Sequence, residues 1–187
     1  MNNITRKLTV NFVIATTLAV IFGTAMTSIN RVWAEPPIHC PTVAGTNQCN
    51  GTDGADKMLG TNEEDVMNGR NGQDEMFGSA SDDEMFGNNA ADTMKGDSGD
   101  DSMHGNERND NVNGGSSNDI VRGGFGEDIL KGNSGNDKIY HSDVSQPLQA
   151  DNSKDDIDCG SGNDEAWINV STDHDTADSN CETIHQR

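Results

Sequence analysis

The 187-residue chain carries 32 acidic against 12 basic side chains, a formal net charge of −20, and only 31% of it is apolar. Five Phe, two Trp and one Tyr give few large anchors, and 21 Gly raise the entropy cost of ordering the backbone, so a hydrophobic core alone cannot stabilise a fold. Such acidity argues against nucleic acid or an anionic membrane as a partner and favours a cationic one, most simply a metal ion.

Arg6 and Lys7 precede an apolar run from Leu8 to Met26, and Val32, Trp33 and Ala34 lead into Glu35, Pro36 and Pro37. This is the pattern of a secretory signal peptide. Small residues at 32 and 34 place the expected cleavage after Ala34, with a retained membrane anchor as the alternative. Cleavage would leave no membrane span and would put the four Cys in an oxidising compartment, where an even count favours disulfides. Three pairings are possible. Cys40 with Cys49 and Cys159 with Cys181 is the expected set, because each pair closes a short loop and the two flank the central region. A zinc site is the rival, but the spacings lack a C-x-x-C pair. Residues 35–50, with Pro36, Pro37 and Pro41, are too few for a domain and are expected to form an N-terminal cap.

Residues 51–140 are ten consecutive nine-residue units. The first three are GTDGADKML, GTNEEDVMN and GRNGQDEMF, and the last three are GGSSNDIVR, GGFGEDILK and GNSGNDKIY. Position one is always Gly, from Gly51 to Gly132. Position six is always Asp: Asp56, Asp65, Asp74, Asp83, Asp92, Asp101, Asp110, Asp119, Asp128 and Asp137. Position eight is aliphatic or Met throughout: Met58, Met67, Met76, Met85, Met94, Met103, Val112, Val121, Leu130 and Ile139. A period of nine fits neither a helix nor one continuous alternating strand; it is the period of a coil. Positions one to six are rich in turn formers, and positions seven to nine suit a very short strand. With two units per circuit, alternate units stack into two parallel sheets about 4.8 Å per layer, and position eight points inward from both. The six consecutive Met at that position are expected to fill core space.

The repeat resembles the G-G-x-G-x-D-x-U-x nonapeptide of the RTX family, which implies an all-β parallel β-roll, a right-handed β-helix-like solenoid, here with short disulfide-closed caps. The resemblance also implies Ca²⁺ as cofactor, several ions being held by position-six Asp and by loop carbonyls of two stacked units. On this chain the implied carbonyls lie near Gly51, Gly54, Gly69, Gly72, Gly96, Gly99, Gly114, Gly115, Gly123, Gly124, Gly126, Gly132, Gly135, Gly160 and Gly162. Calcium prefers six to eight oxygen ligands, and the repeat offers carboxylates and carbonyls. Without a cation, carboxylates about 5 Å apart at an effective dielectric near 20 would repel by about 3 kcal/mol per neighbouring pair. A departure from the family pattern lies at position four, where Glu63, Ser81, Ala90, Arg108 and Ser117 replace Gly. A Cβ resists positive φ, so the last three units are expected to bind best.

After Tyr140 the register fades through HSDVSQPLQ, a bulge is expected near Pro147, and Asp155, Ile157 and Asp164 return in the same nine-residue phase. Asp155 and Asp164 therefore join the expected metal ligands, and residues 141–187 read as degenerate repeats and a C-terminal cap. The closing segment, DDIDCGSGND followed by DTADSNCE, resembles that of bacterial RTX-like proteins, which implies a Cys159–Cys181 bridge. Asp173, Asp175 and Asp178 suggest a further cation site, but the EF-hand loop's central Gly and distant Glu are absent, so a solvated acidic cap is the expected reading. The five histidines are scattered, with His104 at an outward-facing position, and no Ser/His/Asp or HExxH constellation is visible. The expected function is a secreted, non-enzymatic calcium-binding protein, folding on Ca²⁺ and structural or binding in role at the cell surface. The alternatives are an adhesion or matrix protein recognising a protein or glycan, and a small hydrolase.

Overall fold

The computed structural model describes residues 36–41, 47–142, 153–170 and 174–186. The expected signal segment at 1–34, the expected bulge at Pro147 and the acidic residue Asp173 lie outside them. In chain order the strands are β1 (Ile38–His39), β2 (Gln48–Asn50), β3 (Lys57–Leu59), β4 (Val66–Asn71), β5 (Glu75–Ala80), β6 (Glu84–Asn89), β7 (Thr93–Ser98) and β8 (Ser102–Glu107). They continue as β9 (Asn111–Ser116), β10 (Ile120–Phe125), β11 (Ile129–Ser134), β12 (Lys138–Tyr140), β13 (Asp156–Ser161), β14 (Glu165–Ile168), β15 (Thr176–Ala177) and β16 (Thr183–Gln186). Odd strands form one eight-stranded parallel sheet and even strands the other. The described chain is a parallel β-roll.

Most strands are six residues long, so the three-residue strand expected from positions seven to nine is an underestimate. The alternation explains the extension: position seven points out, eight in, nine out, and the position-one glycine in again, so the strand runs on to position three. Only positions four to six turn. Glycine at position one is a packing requirement. A Cβ on Gly96 would collide with the Asp101 carboxylate and with the Gly114 carbonyl of the next coil.

All ten position-eight side chains are fully buried, Met58 to Met103 included. They stack on themselves every 18 residues, as in Met58 with Met76 and Met67 with Met85. A column of identical Met side chains fills the narrow interior because the thioether chain adapts to its neighbour above and below. Ile157 and Ala166 prolong the column. The Cys40–Cys49 disulfide closes it at one end and Cys159–Cys181 at the other, with Cα separations of 4.9 and 5.2 Å. Each bridge contributes about 3 kcal/mol by the chain-entropy argument, a mechanism that is model-dependent.

Beyond Tyr140 the stacking changes. Leu130 pairs with Ile157 and Ile139 with Ala166, a separation of 27 rather than 18 residues. The step is nine residues longer there, and each later unit sits in the sheet opposite to the one that counting by twos assigns. On the outer face of the even sheet, position nine forms a continuous spine: Phe86 stacks on His104, Arg122 lies over Tyr140, and Trp167 stacks between Tyr140 and His185 at 4.4 Å on each side. The spine crosses the 27-residue step and ties the last coils to the regular ones.

From the third unit on, position four is left-handed whether or not it is glycine: φ is 71° at Ser81, 87° at Ala90, 83° at Arg108 and 90° at Ser117, whereas Gly54 and Glu63 of the first two units do not adopt it. The stacked turn imposes this geometry, and a Cβ-bearing residue complies at about 1–2 kcal/mol. Ala90→Gly removes that strain and gives back part of the gain through greater freedom of the unfolded chain. A net stabilisation of up to about 1 kcal/mol is expected, read as a rise of about 2–4 °C in the melting temperature of the calcium-loaded protein.

Candidate metal centre

Each turn delivers its position-six aspartate to an edge of the roll, and the two edges carry separate ladders. The first runs Asp56, Asp74, Asp92, Asp110, Asp128, Asp155 and Asp175, and the second Asp65, Asp83, Asp101, Asp119, Asp137 and Asp164, ending on Glu182. Within a ladder the backbone N–H of each aspartate donates to a carboxylate oxygen of the next coil, for example Asp101 N–H to Asp119 Oδ1 at 2.9 Å and Asp119 N–H to Asp137 Oδ1 at 2.8 Å. Its carbonyl accepts from the position-seven N–H of that same coil, as Asp101 does from Ile120 at 2.8 Å. One oxygen thus does the work of a strand carbonyl at the corner, where the sheet pattern breaks.

The second oxygen is different. Among the described residues, Oδ2 of Asp74, Asp83, Asp92, Asp101, Asp110, Asp119, Asp137 and Asp164 is buried and accepts no hydrogen bond. A buried carboxylate oxygen without a donor is costly unless a cation or a proton meets it. The residues present therefore fit a hard cation: anionic oxygens stacked along a turn whose carbonyls are also close at hand.

Asp56 and Asp65 depart from this. Asp56 Oδ2 accepts from the Thr52 N–H at 2.6 Å and hydroxyl at 2.9 Å. Asp65 Oδ2 accepts from the Thr61 N–H at 2.6 Å and hydroxyl at 3.0 Å. Threonine at position two occurs in these two units of the ten. The hydroxyl supplies Oδ2 with the donor that the other turns lack, although Oδ1 of Asp65 is itself buried without a donor.

The RTX calcium-binding nonapeptide repeat family matches the chain at residues 50–85, 69–103, 77–112, 86–121 and 104–139. Residues 50–139 belong to the RTX repeat family. No curated protein and no solved structure matches the chain. RTX repeats bind Ca²⁺, and calcium is the ion that membership assigns to the buried ladders of this roll.

Burial shapes the protonation of the RTX ladders. It pushes Asp74 and Asp83 up to about 7 and Asp110 and Asp119 up to about 8, with repulsion from ladder neighbours adding to the effect and the backbone hydrogen bond opposing it. Asp92, Asp101 and Asp137 rise to about 6 for the same first reason, desolvation, and Asp164 is raised too. These folded-state values lie above the unfolded value, so the roll binds more protons than the open chain between them. Stability then falls as pH rises through the folded values and is regained below them. Metal-free protein is expected to gain β structure as pH drops from about 8 to about 6, with a proton standing in for the metal, and far-ultraviolet circular dichroism in the presence of chelator checks it.

Two ladder members escaped the sequence reading. Asp175 is buried and ends the first ladder, so the solvated acidic cap expected at 173–178 does not describe it, whereas Asp178 is exposed. Glu182 ends the second ladder. Asp175 is out of the nine-residue phase, 20 residues after Asp155, whereas Glu182 keeps the phase, 18 residues after Asp164, but carries the wrong side chain for the motif. Position seven of the following strand, Thr176 and Thr183, was the available signal.

Proposed function

We propose that this chain is a secreted RTX protein whose roll winds when Ca²⁺ neutralises its aspartate ladders, and that it serves a structural or binding role at the cell surface without catalysis. The observation that carries the reading is the row of buried Oδ2 atoms with no donor from Asp74 to Asp164. In this reading Asp74, Asp83, Asp92, Asp101, Asp110, Asp119, Asp128, Asp137 and Asp164 supply carboxylate oxygens, and the loop carbonyls beside the glycines of positions one, two and four complete each shell. Asp56 and Asp65, whose Oδ2 atoms accept from threonine, depend less on metal than the later turns and give the roll an end from which to wind. The two disulfides suit an oxidising compartment and support export. Domain boundaries follow the same reading: residues 1–34 address the chain, 35–50 cap the roll, 51–140 bind metal and 141–187 close it.

Calorimetric titration of chelator-stripped protein with calcium tests the proposal. Several ions should bind per chain, with the uptake of heat and of β structure saturating together. A chain that takes up no calcium at millimolar concentration would end the reading. Surface exposure is checked separately: intact source cells washed with chelator should release the protein, and its confinement to the cytoplasm would refute the export part alone.

A further inference from the structure

We propose that His141, Asp155 and Asp175 form a second kind of metal site, a mixed nitrogen and oxygen site suited to zinc, at the C-terminal end of the first ladder. In the regular coils the residue after the position-nine strand residue is the inward glycine, as Gly123 is beside Asp128. After β12 that place belongs to His141. Its carbonyl accepts from the Gly124 N–H at 3.0 Å and its own N–H donates to the Trp167 carbonyl at 3.1 Å, so the backbone continues the coil while an imidazole stands where the ten regular units have glycine.

The ring reaches the last two steps of the ladder. A ring nitrogen of His141 and one oxygen from each of Asp155 and Asp175 all lie within 4.8 Å of one another. Nδ1 is 3.5 Å from Asp175 Oδ2, with the two side chains 13% and 0% exposed. Nε2 lies 3.2 Å from the Ser142 hydroxyl. With Nε2–H donating to Ser142, the lone pair of Nδ1 faces the carboxylates, the tautomer that a metal requires, and this outer hydrogen bond fixes the ring plane. Asp175 is held as firmly: Oδ1 accepts from the Asp155 N–H at 3.1 Å and Oδ2 from the Asn169 N–H at 2.7 Å, which leaves further lone pairs on each oxygen.

The donor set decides the metal. Calcium takes oxygen ligands, whereas one imidazole and two carboxylates match zinc in hardness and charge, with water at a fourth position. The site would join three segments of chain at the 27-residue step of the first ladder. Asp155 then belongs to this site and leaves the calcium set. The calcium reading and this one do not depend on each other.

The test uses the full chain without an affinity tag, stripped by chelator and returned to saturating calcium, then titrated with zinc against a chromophoric zinc indicator and, in parallel, with cobalt. One zinc ion per chain should bind and resist excess calcium, and cobalt should give the visible spectrum of a site with nitrogen ligation and low coordination number. His141→Ala and Asp175→Asn should each weaken zinc binding more than about tenfold. Should either variant fail to fold, nitrogen NMR of the unaltered protein serves instead, with the His141 Nδ1 resonance moving on zinc addition. Zinc displaced by calcium, binding undiminished in both folded variants, or a stationary His141 resonance would overturn the proposal. Loss of calcium uptake with zinc binding intact would sink the ladder reading and leave this one standing.

Discussion

Stripping calcium from the folded protein at neutral pH is expected to unwind the central coils. The ladders place carboxylates one strand spacing apart, about 4.8 Å, and at an effective dielectric near 20 each ionised neighbouring pair then costs about 3 kcal/mol. A domain's whole stability is about 5–15 kcal/mol, so a few such pairs on each edge exceed it. The methionine column cannot compensate, because each coil adds only two inward apolar side chains. The disulfides hold the two ends but place no constraint on Met58 to Ile139 between them. Chelator should therefore abolish the β signal in circular dichroism and carry the radius of gyration by small-angle scattering toward about 40 Å, the scale of an unfolded chain of this size. Calcium added back should restore both. A chelated protein as compact and as heat-resistant as the loaded one would show that the carboxylates are neutral or paired without metal.

Asp119→Ala combined with Asp137→Ala is expected to raise the calcium concentration needed for half-maximal folding more than about tenfold. Both residues stand on the second ladder, Asp137 at its 27-residue step to Asp164 and Asp119 one coil before it, and both have an orphaned Oδ2. Alanine removes two anionic ligands and, with them, two acceptors: the N–H groups of Asp101 and of residue 119 lose Oδ1 partners at 2.9 and 2.8 Å. Each buried donor left unsatisfied costs about 1–3 kcal/mol beyond the loss of the ion. The paired Asn variants separate the two effects. Asparagine keeps the amide oxygen as acceptor and drops the charge, so Asp119→Asn with Asp137→Asn should bind less calcium while folding better than the alanine pair at low calcium. Equal behaviour of the two pairs would mean that the carboxylates matter through charge and metal ligation alone, the hydrogen bonds contributing nothing. Titration followed by circular dichroism reads both.

The contrast with the first two units sharpens this expectation. Thr52 and Thr61 give Asp56 and Asp65 the donors that calcium must replace elsewhere, and one hydroxyl per turn makes the difference. The sequence displayed those threonines plainly. Their meaning depended on seeing the hydroxyl reach the carboxylate four residues on, and a column of invariant aspartates does not announce which of its members is already satisfied.

What the sequence determined by itself is whatever repeats. A strict period of nine, with Gly, Asp and an apolar residue in fixed columns, dictates a coil, two sheets, an inward position eight and two rows of acids, because every unit faces the same local balance and solves it the same way. The disulfide pairs at the ends were legible on similar terms, since each closes a short loop. Tertiary structure decided what happens where the repetition stops. Asp128 stacks on Asp155 and Asp137 on Asp164, across 27 residues instead of 18, and no local preference distinguishes that from a simple continuation. The burial of Asp175, the substitution of Glu182 at the ladder's end and the imidazole of His141 in a glycine's place depend likewise on which coil lies above which. Stacking is a long-range contact fixed by hydrogen bonds between coils, so it appears only when the coils are laid on one another.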